Sequence, residues 1–272
     1  NNFATFAGLC LLCGLSLTLA SLQPMLSQRR PLRQTLVLMV EHLLVQARWT
    51  TVAILTTAIG LTLTASRGGV ISTGCGAAFL IFVFFHRQIV QNGSKLRLTL
   101  TTLVVVFAIT GLIVTIAGQN LFTRLNRTNF DAVADNRGRI YELTLEGIES
   151  APWKGVGFGS YEDAIAAYKR DDMSPVLKWD KAHNTYLENA FELGIPAALT
   201  LYISIGWLGI ESWRGIKYRK RSMYFPATGA AATLLVALHS VVDFSLQIPA
   251  VSVLYAFILG VAVAQSHPLR SL

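Results

Sequence analysis

The chain is 272 residues long, with 53% hydrophobic and only 14% charged residues, a balance that excludes both an ordinary soluble domain and a disordered one. A mean hydropathy of +0.49 marks an integral membrane protein. The net charge of +8 is no sign of a nucleic-acid partner, because no basic and aromatic binding motif accompanies it. In chain order, the first apolar span is expected at residues 3–22. The opening Asn1-Asn2-Phe3 lacks a methionine, a basic leader and a cleavage signature, so an upstream portion is expected. Cys10 and Cys13 lie in this span and Cys75 in a later one; their C-x-x-C has no second ligand pair, so they read as small packing residues.

Residues 31–47 carry Glu41 and His42 within an apolar run, the pattern of an interfacial helix. Spans follow at 49–65, 70–85 and 98–117, with Ser66-Arg67-Gly68-Gly69 as a very tight turn between the first two of these. A long polar segment, 118–194, precedes spans at 195–210, 223–242 and 248–264. These lengths approach the roughly 20 residues that cross a hydrocarbon core. The expected architecture is an all-α integral membrane protein with about seven transmembrane helices, four in 1–117 and three in 195–272, around a large helical loop.

Charge assigns the sides. Short cytoplasmic loops are enriched in Lys and Arg, and the loops at 27–48, 86–97 and 211–221, with the tail, hold 13 basic residues against Glu41 and Glu211. The opposite side has Arg67, Asp243 and the long segment, whose nine basic and twelve acidic residues place it outside the cytoplasm.

Within the long segment, three short helices are expected. Asp135 or Asn136 caps the first, through Ser150, with Ile140, Leu143, Leu145 and Ile148 as its apolar stripe and Ala151-Pro152 as its stop. Ser160 and Asp163 have capping-box spacing ahead of the second. The third runs from about His183 to Leu193 and ends at Gly194.

Several residues can carry chemistry. Arg67 lies near the outer interface between two spans, where an arginine either serves a function or snorkels to headgroups; its planar fork suits phosphate oxygens. Arg137 and Arg139, with Arg124 and Arg127 upstream, form a cluster that can clamp pyrophosphate or simply face solvent. His183, at a helix start where the dipole disfavours imidazolium, can stay neutral and accept a proton, or it can make a structural hydrogen bond. Asn184 can cap that helix or bond a sugar hydroxyl, and Glu188 and Glu192 form an i, i+4 acidic pair. Gly155, Gly157 and Gly159 form either an anion nest or a plain loop turn. His239 and Asp243, four apart, can pair on one helix face and orient a site, or cap an interface. Neither a Ser/His/Asp triad, an H-E-x-x-H site nor a DxD-like acidic pair is present in the sequence.

Taken together, the SRGG turn, the NRGRIYELTLEGIESAPWKGVGFGSY block, the AHNTYLENAFELGIPA block and the closing HSVVDFSLQIP hairpin resemble the O-antigen ligase and polymerase superfamily of bacterial membrane glycosyltransferases. The resemblance covers residue 49 to the end and matches the C-terminal part of that superfamily, whose members usually have more spans. It implies a GT-C-like, multi-pass enzyme of the bacterial inner membrane whose active site faces the periplasm. The implied donor is an undecaprenyl-pyrophosphate-linked glycan and the implied acceptor a hydroxyl on a glycan, on lipid A-core or elsewhere, with no metal and no cofactor. By the same resemblance Arg67 and Arg137, with Arg139 close enough to replace it, handle the donor pyrophosphate. His183 activates the acceptor; Asn184, His239 and Asp243 are candidates for its support on the residue readings above and not through the resemblance. Ligase and polymerase remain open alternatives, as does transfer to protein. A transporter would instead place ionisable residues near the membrane midplane, and a scaffold would not need His183.

Overall fold

A computed structural model of the protein describes residues 1–26, 31–92, 130–168, 180–219 and 222–267. The described residues form helices joined by short turns, with no strand among them. At the centre stands α9 (Tyr224–His239), packed on α1 (Asn2–Leu26), α4 (Arg67–Asn92), α8 (Ile195–Tyr218) and α10 (Pro249–Ala264). Its small residues explain the position. Ala231 and Ala232 are fully buried, and a Cβ added to Gly76 of α4 would stand 3.0 Å from the Ala231 carbonyl. In lipid, helices gain little from the hydrophobic effect among themselves, so close approach at small residues supplies the attraction. Leu9, Leu12, Leu80, Leu235, Tyr255 and Leu259 fill the shared core.

Large apolar side chains point outward. Trp49, Leu63, Val253 and Phe257 are each about two-thirds exposed or more, which in water would be an aggregation liability and in a bilayer is ordinary. Four described helices are long and apolar enough to cross a membrane: Asn2–Met25, Arg67–Arg87, Ile195–Tyr218 and Pro249–Ser266. A fifth follows if α2 (Leu32–Glu41), its π-helical continuation His42–Gln46 and α3 (Arg48–Leu63) count as one bent span. The bend between them is 87°, so the stretch expected at the interface lies at a right angle to α3.

The expected count of seven is therefore met only in part. The span at 98–117, with Arg124 and Arg127, lies outside the described residues. The span expected at 223–242 is a helix of 16 residues, about 24 Å long, buried along most of its length but with Ala237 and Leu238 exposed. The span at 70–85 starts earlier, at Arg67, and runs to Asn92; Arg67 opens α4 instead of ending α3.

The long loop contributes α5 (Phe130–Ser150), α6 (Tyr161–Ile165, continued as a 3-10 turn to Tyr168) and α7 (Thr185–Leu193). They share a small core of Leu143, Ile148, Tyr161, Ile165, Ala182 and Phe191. Two local expectations change, and one pair of alternatives is decided. Helix α5 is already formed at Phe130, so Asp135 and Asn136 lie inside it, and Leu145 is exposed while Ile140, Leu143 and Ile148 are buried. The Ser160 hydroxyl makes no capping bond; it donates to the Gly157 carbonyl at 2.6 Å. The glycine run is a turn and not an anion nest, because the Val156 and Gly157 amides donate to the Phe191 and Glu192 carbonyls at 3.1 and 2.9 Å, satisfying groups that the end of α7 leaves open.

Candidate functional site

The turn that follows α9, residues 239–245, is the seat on which two separate parts of the chain meet, and a third part rests on the second of them. The first is the SRGG turn. Ser66 accepts the Gly69 amide at 3.2 Å through its hydroxyl and the Val70 amide at 3.0 Å through its carbonyl, as a helix cap does. This places Arg67 at the first position of α4, half-buried. Gly68 packs directly on the seat: a Cβ there would lie 2.8 Å from Val242 and 3.1 Å from the His239 ring.

The second part is the segment entering α7. Thr185, buried at its first position, donates its amide to the Ser240 carbonyl at 2.9 Å and its hydroxyl to the Asp243 carbonyl at 2.7 Å. Asn184 is the cap, its Oδ1 accepting the Tyr186 and Leu187 amides at 3.0 and 3.1 Å, so of its two expected roles the structural one is observed. His183 stands just outside the helix instead of starting it. Its backbone is left-handed, with φ of +53°, a conformation that costs a side-chain-bearing residue about 1–2 kcal/mol. Its ring centroid lies 5.4 Å from that of Phe244 in the seat.

The third part is α5. The Tyr141 hydroxyl donates to the His183 carbonyl at 3.4 Å, which brings this helix against the histidine segment. Positions 137 and 141 are one turn apart on one face, whereas 139 is about 200° round the helix from 137. Arg139 shares its side with the exposed Glu142 and Glu146. The register thus turns position 139 away from the side of α5 on which Tyr141 meets the His183 segment.

Beneath the seat, the pair His239 and Asp243 is joined indirectly. Helix α9 ends at His239, so the two do not share a helix face as expected. The Ser245 hydroxyl donates to Asp243 Oδ2 and accepts from Thr5 at 2.8 Å, and Thr5 meets His239 Nδ1 at 2.6 Å. With the Thr5 proton committed to Ser245, His239 donates from Nδ1 and turns Nε2 toward Gly68. Asp243 is fully buried, and its Oδ1 has no hydrogen-bond partner among the described residues. Thr5 and Ser245 carried no sequence signal, being ordinary hydroxyl residues in or beside apolar runs.

A cavity of about 650 Å³ opens between α8 and α10. Its polar end has Thr185, Asn189, Tyr202 and Gln247, and its length is lined by leucine, isoleucine and valine.

The family described as O-antigen ligase matches residues 52–202. The chain belongs to that family. As an O-antigen ligase family member it is a multi-pass membrane protein and a glycosyltransferase of ligase or polymerase type, a class that works on lipid-linked glycan donors and glycan acceptors. The match takes in the SRGG turn, α5 and α7 and ends within α8, so the seat and α1 lie outside it. No curated protein matches the chain significantly.

Proposed function

We propose that this O-antigen ligase family member moves a glycan from undecaprenyl pyrophosphate to an acceptor sugar hydroxyl at the periplasmic face of the bacterial inner membrane. The observation that carries the reading is the meeting of the Arg67 turn and the His183 segment on residues 239–245, with α5 closing from the third side.

Pyrophosphate leaves readily once its charge is matched, and charge-assisted bonds from guanidinium groups do this without a metal. Arg67 and Arg137 take that role, with Arg139 next in line. His183 accepts the proton of the acceptor hydroxyl while its oxygen attacks the anomeric carbon. The bond from that carbon to the pyrophosphate breaks, undecaprenyl pyrophosphate departs with the electron pair, and configuration inverts. His239 and Asp243 hold the seat under both groups, and Asn184 fixes the helix beside the base. The donor's isoprenoid chain is assigned to the cavity between α8 and α10, whose polar end adjoins Thr185.

The test uses the protein in nanodiscs with a lipid-linked glycan donor, candidate acceptors and EDTA. His183→Ala is expected to lower transfer by about 10²–10⁴-fold, the usual worth of a general base, and Arg67→Ala by about 10²–10³-fold, both with the fold intact. A lipid A-core acceptor that works identifies a ligase and a growing polysaccharide a polymerase. Transfer that survives both substitutions, requires a metal, or retains anomeric configuration sinks the mechanism.

A further inference from the structure

Glu188 is fully buried, yet a carboxylate that far from water needs partners. It finds them in the two residues ahead of the histidine. One oxygen accepts from Lys181 Nζ at 2.9 Å and the other from the Ala182 amide at 3.0 Å. Ala182 is itself locked, its methyl packed in the core with Leu143 and Phe191. Downstream, Asn184 caps the helix and Thr185 is bonded to the seat. His183 is therefore the one left-handed residue between two fixed points, and Glu188 makes the upstream one. Left-handed backbone in such a residue persists where the surroundings over-determine it.

We infer that Glu188 is a positioning residue for His183: its carboxylate, tied to Lys181 and the Ala182 amide, holds the histidine backbone in the conformation that aims the ring at the acceptor. The inference rests on the proposed role of His183. Both partners of Glu188 are donors, so an anion suits them and a neutral amide does not. In Glu188→Gln the carbonyl oxygen keeps one bond, and the amide group sets its hydrogens against the other donor. The histidine then loses its register while the pyrophosphate site, made by other elements, stays.

The experiment measures donor binding and transfer for Glu188→Gln, Lys181→Met and His183→Ala in nanodiscs. Glu188→Gln is expected to bind donor with unchanged stoichiometry and affinity and to lose about 10²-fold in kcat, the effect of a misplacement near 1 Å. Lys181→Met, half-exposed and leaving the Ala182 bond in place, is expected to lose less than about fivefold, the range of an ion pair partly open to water. A purely structural role would instead lower donor-binding stoichiometry in step with activity. Wild-type kcat in Glu188→Gln overturns the inference, as does a loss that tracks stoichiometry. If Glu188→Gln fails to fold, Lys181→Glu carries the test, because a second carboxylate facing Glu188 pushes the segment away; a wild-type kcat there overturns the inference equally. Should His183→Ala keep full transfer, the base assignment itself fails whatever Glu188 does. Should His183→Ala abolish transfer while Glu188→Gln is silent, only the positioning role falls.

Discussion

The bundle around α9 and the module of α5, α6 and α7 are held together by different means. The bundle relies first on shape, with glycine at its crossings, Gly76 against Ala231 and Gly229 against Ala262. Its buried polar bonds, such as Thr228 to Ser16 at 2.6 Å, join helices already in close contact. The module has a core of six buried apolar-class residues, too small to specify one arrangement alone. It adds buried polar bonds, with Glu188 on Ala182, Glu192 on the Tyr161 amide at 3.0 Å and Thr144 on the Tyr161 hydroxyl at 2.6 Å. Surrounded by lipid, close packing distinguishes the native arrangement; in water, satisfied polar groups do so, because each unmade bond is costly. A carboxylate in this module is thus structural until shown otherwise.

Substitutions can break this contrast or sharpen it. The largest effect is expected from Gly76→Leu, which overpacks the α1, α4 and α9 crossing and costs about 1–3 kcal/mol or more. Thermal melts in detergent should show the whole protein destabilised. Next comes Glu192→Ala, which leaves the Tyr161 amide without its partner at a cost of about 1–3 kcal/mol. Hydrogen exchange should rise at α6 while the melting of the bundle stays unchanged; equal losses in both regions would erase the distinction. Thr185→Val keeps the shape and removes one bond to the seat, a loss of about 1 kcal/mol that should reduce transfer more than it reduces the melting temperature.

The smallest effect at neutral pH, and the most specific, concerns Tyr161. Burial pushes its phenol above the usual range, outweighing the Thr144 bond that pulls it down, and Glu188 and Glu192 add to the rise. The raised folded pKa means that this contribution to stability is complete below the unfolded value of about 10 and is lost as pH climbs from there toward the folded pKa. Near-ultraviolet circular dichroism should show the module opening at alkaline pH. Tyr161→Phe should remove that dependence, and an unchanged alkaline transition would refute it.

Much of this was legible in the sequence where a signal is periodic or chemically loud. Apolar runs located α1, α4, α8 and α10, and Gly194 with Pro196 marked the junction of α7 and α8. The SRGG and HNTYLENAFELG blocks pointed to elements that the fold then brought to one seat. Polar contacts across the chain were not legible. Thr5 meets His239 across 234 positions, and nothing local announces such a pairing. Ser160 shows the reverse failure: its capping-box spacing was right, yet the glycine turn before it supplied a nearer carbonyl. Glu188 and Glu192 read only as an i, i+4 acidic pair, because helical spacing says nothing about which side a neighbouring loop will cover.

Helix α7 is fastened at both ends. Thr185 is bonded to the seat, the Tyr186 hydroxyl donates to the Ala237 carbonyl at 2.9 Å, and Gly194 alone, at φ of +78°, separates its last turn from α8. Such a helix cannot swing like a flap on a tether; it moves only as the bundle moves. For the same reason the loop is not a portable domain. A water-soluble fragment cut at residues 118 and 194 would retain His183, Arg137 and Glu188 but not the surface that sets their relation, so the membrane-embedded chain is the smallest unit in which these residues can be assayed together.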